Sequence, residues 1–125
     1  MSSVSAKQNL IGGHPLYKGM AAPYKIMNGI KYDSEKPDYS LIPPNALDDV
    51  VKVLTYGAKK YDRENWKKLE NLDNRYFAAA QRHLWALKKG ETFDSETNIH
   101  HAAHAISCLL FIIEFYYLQN EKTSV

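Results

Sequence analysis

The stretch Arg82–His104 concentrates the residues of this sequence that could do chemistry. It reads RHLWALKKGETFDSETNIHHAAH and contains four of the chain's five histidines. Neutral imidazole binds transition metals and protonated imidazole binds phosphate, while carboxylates bind Mg²⁺ or Mn²⁺. The candidate groups are His83, His100, His101, His104, Glu91, Asp94 and Glu96. We therefore predict a ligand or metal site in this stretch, at a junction between two helices.

The spacing of these residues favours metal binding. His101 and His104 are three residues apart, so on a helix they lie on one face. Glu91-x-x-Asp94 and Asp94-x-Glu96 are spacings at which carboxylates can share a hard cation. The predicted metal ligands are Asp94, Glu96, His101 and His104, and the predicted ion is Mg²⁺ or Mn²⁺. Two alternatives remain open: the carboxylates cap a helix, or the histidines form hydrogen bonds between helices.

Basic and aromatic residues alternate elsewhere in the chain, which is typical of nucleotide binding. Lys and Arg neutralise phosphate, and Tyr or Trp stacks on a base. The net charge of +2 is too small for a long nucleic acid, so the expected partner is a mononucleotide or a short oligonucleotide. The predicted nucleotide-binding residues are Lys31, Lys36, Lys60, Tyr61, Asn65, Trp66 and Arg75. For the lysines, the alternative is a plain solvated surface.

Two amphipathic helices are expected before the histidines. The first is NALDDVVKVLTYGAKKYD, with Asn45 as its N-cap and Asp48 and Asp49 in its first turn. The second covers Asn74–Lys89, capped by Asp73 or Asn74 and followed by Gly90 at the C′ position. Their apolar residues recur every three to four positions, and this pattern turns His83 inward.

A third helix should begin after the GETFD connection. Asp94 or Ser95 would cap it, Glu96 would lie in its first turn, and Ala102–Leu118 is apolar on nearly every side. Such a helix is central to a bundle or shared between subunits. We therefore predict an all-α fold, a small bundle of three main helices with an irregular N-terminal segment, completed by homo-oligomerisation.

The remaining features indicate a soluble cytoplasmic protein. Residues 1–23 are expected to be a flexible arm, 24–120 a single helical domain, and 121–125 a tail. Asn28-Gly29 could turn a short hairpin between Tyr24–Met27 and Ile30–Tyr32. The single cysteine cannot form an internal disulfide. The start of the chain lacks a signal-peptide pattern, and the apolar third helix is interrupted by polar residues, so no membrane partner is expected.

Several motifs together resemble a known family. The motifs are KYDSEKPDYSLIPP, LTYGAKKYDRENW, RYFAAAQRHLWALKKGETFDSE and HHAAHAISCLLFIIE. In this order they are similar to the phage and prophage family of dATP/dGTP diphosphohydrolase N-terminal domains. This family is loosely grouped with the MazG-type all-α NTP pyrophosphatases, and the likeness covers about Lys31 to Glu114. It implies hydrolysis of a purine deoxynucleoside triphosphate to monophosphate and pyrophosphate, with Mg²⁺ or Mn²⁺.

The resemblance also implies the site residues. Those carried over are Lys31, Asp33, Lys36, Lys60, Tyr61, Asn65, Trp66, Arg82, His83, Glu91, Asp94, Glu96, His101 and His104. Among them Glu91, Asp94, Arg82 and His83 are the expected catalytic group. MazG-type enzymes carry E-E-x-x-E on one helix and E-x-x-D on the next, whereas here only Glu91-x-x-Asp94 copies an acidic motif. Two alternatives therefore stand: a non-catalytic protein that sequesters a nucleotide between subunits, and a structural helical adaptor.

Overall fold

The computed structural model describes residues 28–123, with side chains up to Glu121. The chain divides into two units, Met1–Pro37 and Asp38–Val125, and the candidate site lies in the second. In the first unit the described residues 28–37 hold a turn in which Lys36 N donates to Asp33 O at 3.1 Å. The predicted arm and the first arm of the predicted hairpin, Tyr24–Met27, lie outside the described residues. The predicted domain boundaries stay predictions.

The second unit is all-α, as predicted. It contains three α-helices, α1 (Pro44–Lys60), α2 (Leu72–Lys88) and α3 (His101–Thr123), and two short 3₁₀ turns at Tyr39–Leu41 and Asn65–Lys68. Within residues 28–123 the only extended pairing is an isolated antiparallel bridge between Phe93 and His100. Three main helices therefore form the scaffold.

Helix α1 begins one residue earlier than predicted. Pro43 occupies the N-cap position without a side-chain hydrogen bond, and Pro44 is the first helical residue. Proline suits this position because its fixed φ is already helical and its missing N–H has no partner in the first turn. The prediction that Asn45 caps the helix is wrong, and Asp48 and Asp49 consequently lie beyond the first turn.

Helix α2 also begins before its predicted cap. Asn71 is the N-cap residue and has a left-handed backbone with φ of 57°. Leu72 follows as the most deeply buried large side chain, 1% exposed, so its burial determines where the helix starts. The predicted caps Asp73 and Asn74 are helical instead. Gly90 follows the helix with φ of 99°, the conformation that a C′ glycine adopts without steric cost, as predicted.

Helix α3 begins at His101, so the prediction that Asp94 or Ser95 caps it is wrong. The preceding residues form a closed loop, in which His101 N donates to Thr92 O and Asp94 N donates to Ile99 O, both at 2.9 Å. The loop reverses through Asn98, whose φ is 59°. Glu96 therefore lies in this loop and not in a helical first turn.

Small residues bring α2 and α3 close together. Ala80 of α2 packs on Ala105 and Cys108 of α3, with Tyr76 and Ala79 alongside. The second half of α3 exposes large apolar side chains, namely Ile113, Tyr116 and Tyr117. By length and composition alone His101–Glu121 could cross a membrane, but the core helix of a soluble protein meets the same criteria. Homo-oligomerisation through this surface remains a prediction.

Candidate functional site

An open cavity of about 840 Å³ lies among the three helices and the loop before α3. This volume is within the range of small-molecule binding pockets. The cavity collects predicted residues from α1, the second 3₁₀ turn, α2, the loop and α3. Those that line it are Lys60, Tyr61, Asn65, Trp66, Arg82, His83, Asp94, Glu96 and His104.

The other predicted site residues lie elsewhere. Arg75 is an exposed residue of α2 that does not line the cavity. Glu91 and His101 are paired with each other and are not part of the cavity wall. Lys31 and Lys36 belong to the N-terminal unit. The structure therefore groups most, but not all, of the predicted nucleotide-binding and catalytic residues.

Three histidines from α2 and α3 form a compact cluster. His83 Nδ1 lies 2.8 Å from His101 Nδ1. The ring of His83 also stacks on the ring of His104, with centroids 4.5 Å apart and planes 12° apart. The cluster forms because His101 and His104 share one face of α3, which the small residues of the helix interface bring against α2.

The tautomer of His101 follows from its other partner. Its Nε2 lies 3.0 Å from Glu91 Oε2, and its side chain is only 5% exposed. A carboxylate can only accept hydrogen bonds, so Nε2 carries the proton. In the neutral ring Nδ1 therefore holds a lone pair, which points at His83.

A hydrogen-bond chain fixes the orientation of His104. The Thr97 hydroxyl donates to Asp94 Oδ1 at 3.1 Å and lies 2.7 Å from His104 Nε2. Since its only proton is directed to Asp94, the hydroxyl accepts from His104 Nε2–H. Asp94 Oδ1 also accepts from the backbone N–H groups of Glu96 and Thr97, each at 2.9 Å.

These environments set the charges of the cluster. Burial lowers the pKa of His83, and the neighbouring His104 and His101 lower it further. Burial also lowers the pKa of His104, more than nearby Asp94 raises it. For Asp94, burial acts to raise the pKa, but the hydrogen bonds from Thr97, the nearby His104 and the Glu96 N–H together outweigh it and the pKa is lowered. At pH 7 the cavity thus presents neutral imidazoles beside an ionised carboxylate.

Glu96 connects the loop to α1. Its Oε2 accepts a hydrogen bond from the Tyr56 hydroxyl and another from Lys60 Nζ at 2.9 Å. The Tyr56 hydrogen bond and then that of Lys60 lower the pKa of Glu96, and the bond to Glu96 raises the pKa of Lys60. Both groups are charged at neutral pH. Tyr56, Lys60 and Glu96 all line the cavity.

Aromatic rings form a second wall. Trp66 stacks on Phe111 with centroids 4.8 Å apart, and Tyr76 lies 5.0 Å from the same ring. Tyr61, 62% exposed, presents its ring to the cavity with Lys60 Nζ 5.2 Å from its centre. The cavity thus combines cationic side chains with an accessible aromatic surface.

Three residues of the site were not predicted from the sequence. Tyr56 holds Glu96, Thr97 links Asp94 to His104, and Phe111 supports Trp66. The Asp94-x-x-Thr97 spacing, which is typical of a side-chain-capped turn, could have indicated Thr97. Tyr56 and Phe111 carry no such local signal, because their partners are distant in sequence.

Comparisons with known proteins agree with the resemblance in the motifs. The profile of the family described as dATP/dGTP diphosphohydrolase, N-terminal, matches residues 27–124. A relative named dATP/dGTP diphosphohydrolase, from Salmonella phage PMBT28, is 45% identical over 98 residues, which are 78% of this chain and 32% of the relative. This chain thus spans about a third of the relative's length. No solved structure gives a significant match. Because the profile covers most of the chain, the protein belongs to the dATP/dGTP diphosphohydrolase N-terminal family.

Proposed function

We propose that this chain binds a purine deoxynucleoside triphosphate in the cavity and takes part in its hydrolysis to the monophosphate and pyrophosphate. The substrate class comes from the name of the phage relative. The observation that carries the proposal is that Lys60, Arg82, Tyr61 and Asp94 line one cavity of about 840 Å³. A nucleotide needs cations for its phosphates and a flat π surface for its base, and these residues supply both.

Two cationic side chains would bind the triphosphate. The Arg82 guanidinium can form paired hydrogen bonds to phosphate oxygens. Lys60 is charged and lies at the same wall, where a phosphate would compete with Glu96 for its ammonium group. Tyr61 would stack on the base. These cations would also neutralise charge on the departing pyrophosphate.

The neutral histidines would activate water. Hydrolysis requires water to attack the α-phosphorus, the phosphoanhydride bond to the β-phosphate to break, and a base to take the water proton. His83 and His104 both line the cavity, and their lowered pKa values keep them able to accept a proton at pH 7. Asp94, ionised and linked to His104 through Thr97, would hold that ring in place.

The family resemblance implies a divalent ion, which would polarise phosphate oxygens and lower the pKa of water. The described side chains closest to a ligand set are His83, Asp94 and His101. Two nitrogen donors do not fit Mg²⁺, which prefers oxygen. Mn²⁺ tolerates imidazole better.

Arginine substitutions test the nucleotide site. Arg82→Ala should weaken dATP and dGTP binding at least tenfold, because a charge-assisted hydrogen bond contributes about 1.5–3 kcal/mol. Arg75→Ala, on the same helix but outside the cavity, is the matched control and should change the Kd less than twofold. Calorimetry with a panel of the four dNTPs measures affinity, and pyrophosphate release measures turnover. Equal losses in both variants, or no binding to any dNTP, would refute the nucleotide site.

The second candidate is nucleotide binding without turnover. It is favoured by the small number of carboxylates in the described cavity wall, Asp62, Asp94 and Glu96, the last of which is held by Lys60 and Tyr56. Incubation with dGTP followed by mass spectrometry distinguishes the two functions. Recovery of intact dGTP on the protein, with no pyrophosphate released, would assign binding alone to this chain.

A further inference from the structure

We infer that His83, His101 and Asp94 form a binding site for a first-row transition metal ion, and that this site discriminates against Mg²⁺. Each residue contributes one potential ligand atom, and the three atoms lie within 4.8 Å of one another. The inference does not rest on the proposed hydrolysis, because metal binding can be measured without a nucleotide. It replaces the ligand set predicted from the sequence, the two carboxylates of Asp94 and Glu96 with the two imidazoles of His101 and His104, by one carboxylate and two imidazoles.

The two histidines already direct nitrogen atoms at each other. The lone pair of His101 Nδ1 faces His83 Nδ1 at 2.8 Å. Without metal, one proton between the nitrogens satisfies both. Two nitrogens bound to one tetrahedral ion at about 2.0–2.1 Å lie about 3.3 Å apart, so the pair must separate by only about half an ångström. Transfer of that proton to His83 Nε2, the other neutral tautomer, would free both Nδ1 atoms for the ion and leave His104 as the imidazole that accepts a proton in the cavity.

His101 has the outer partner that metal-binding histidines require. Such histidines donate their second N–H to a carboxylate or carbonyl, which fixes the ring and strengthens its metal bond. His101 Nε2 makes this contact with Glu91 at 3.0 Å, while the ring itself is 95% buried. A buried imidazole with one nitrogen bound to a carboxylate and the other at the cluster is therefore held in a ligand orientation.

Asp94 supplies the oxygen donor. Its Oδ1 is held by three hydrogen bonds from Glu96 and Thr97. Within the described residues 28–123 its Oδ2 accepts no hydrogen bond, so this oxygen keeps its lone pairs for an ion. The carboxylate is thus oriented by one oxygen and available through the other. Its negative charge would offset part of the charge of a divalent cation.

The donor set determines which metal is favoured. Imidazole suits Zn²⁺, Cu²⁺, Ni²⁺ and Fe²⁺, whereas Mg²⁺ demands oxygen and keeps most of its water. His83 and Asp94 also line the cavity, so an ion held by them would keep a coordination position open to a ligand there. Three protein ligands and an open position are typical of catalytic metal sites, in contrast to closed structural ones.

Metal titrations of the full chain test the inference. Protein stripped with EDTA should bind one equivalent of Co²⁺, seen as visible absorption bands, and one of Zn²⁺ by calorimetry. Mg²⁺ at a hundredfold higher concentration should not displace the Co²⁺ bands. A hydrogen-bonded histidine pair with no role in metal binding predicts the opposite outcome, that is, no Co²⁺ bands and no saturable Zn²⁺ binding.

Variants separate ligation from folding. His101→Ala should abolish the Co²⁺ bands, while Glu91→Gln, a near-isosteric change at a half-exposed residue, should weaken Zn²⁺ binding about 10- to 100-fold. His100→Asn is the matched control. This imidazole lies outside the ligand group, and asparagine can keep the cap that His100 Nδ1 provides to the Ala102 N–H at 3.0 Å, so the Zn²⁺ Kd should stay within twofold. Circular dichroism verifies that each variant is folded, and Glu91→Gln still tests the site if His101→Ala does not fold. Equal weakening by Glu91→Gln and His100→Asn would overturn the assignment.

Discussion

Replacing Asp94 by alanine should open the loop that carries the site. Oδ1 of Asp94 accepts the backbone N–H groups of Glu96 and Thr97 at 2.9 Å and the Thr97 hydroxyl at 3.1 Å. The side chain is 19% exposed, so water replaces these bonds poorly. Alanine would leave two backbone donors without their acceptor and release His104 from its chain to Asp94.

The expected loss is about 2–3 kcal/mol of unfolding free energy. Removal of an Asp cap costs about 0.5–2 kcal/mol, and a hydrogen bond to a charged acceptor contributes about 1.5–3 kcal/mol. Three bonds to one oxygen are not additive, so the estimate lies below their sum. Asp94→Asn keeps an acceptor oxygen but no charge, and should lose only about 1 kcal/mol.

Urea denaturation followed by far-UV circular dichroism, in EDTA at pH 7, measures these losses. The control is Asp73→Ala, which should cost no more than about 0.5 kcal/mol. Among the described residues its exposed carboxylate accepts a hydrogen bond only from Asn74 N. The lowered pKa of Asp94 means that its stabilisation is present above the ordinary pKa of 3.8 and disappears as the pH falls below it. If Asp94→Ala is no less stable than Asp73→Ala, the loop is not held by this carboxylate.

Three further predictions concern the rest of the helical unit. Burial raises the pKa of Cys108 to about 11, so stability should fall as the pH rises from 9 towards 11, and a thiol reagent at pH 8 should react only after unfolding. Cys108→Ala should make this slope shallower, and the raised pKa values of Tyr56 and Tyr76 should account for the remainder. Phe111→Ala should lower the unfolding free energy by about 1–3 kcal/mol in urea and shift the fluorescence of Trp66, which stacks on this ring. Phe77→Ala, which removes a more exposed ring, should have a smaller effect on both measurements. Light scattering should give a molar mass that is a multiple of the 14.3 kDa of one chain, and Ile113→Glu, at an exposed position of α3, should reduce that mass. A monomeric mass for both proteins would contradict oligomerisation through this face.

The helices were predictable because their signals are local. Apolar residues at three- to four-residue intervals and Gly90 after α2 indicate helices wherever they occur, and the structure contains all three. The predicted starts of α1 and α2 were wrong for different reasons. Pro44 occupies the first position of α1 because proline is preferred there, which is a local effect. Leu72 begins α2 with its side chain buried, which is an effect of tertiary packing.

The loop before α3 shows where local signals fail. A Ser or Asp followed by a glutamate is typical of a helix N-terminus, so the sequence predicts that α3 begins here. Asp94 does cap backbone N–H groups, but those of a closed turn that ends in the bridge between Phe93 and His100. The two outcomes share one local sequence pattern, and only pairing across the loop distinguishes them.

The sequence by itself determined the helical class, through the periodicity of its apolar residues, and the family, through the order of its motifs. It also determined that the histidines and carboxylates form one group, because they are close together in the linear chain. Tertiary structure alone decided which side chains share a partner. Close packing of α2 and α3 opposes His83 to His101, while Tyr56 and Lys60 draw Glu96 away from the histidines. Contacts between residues so far apart in the chain depend on how the helices pack, and no spacing within a single helix encodes them.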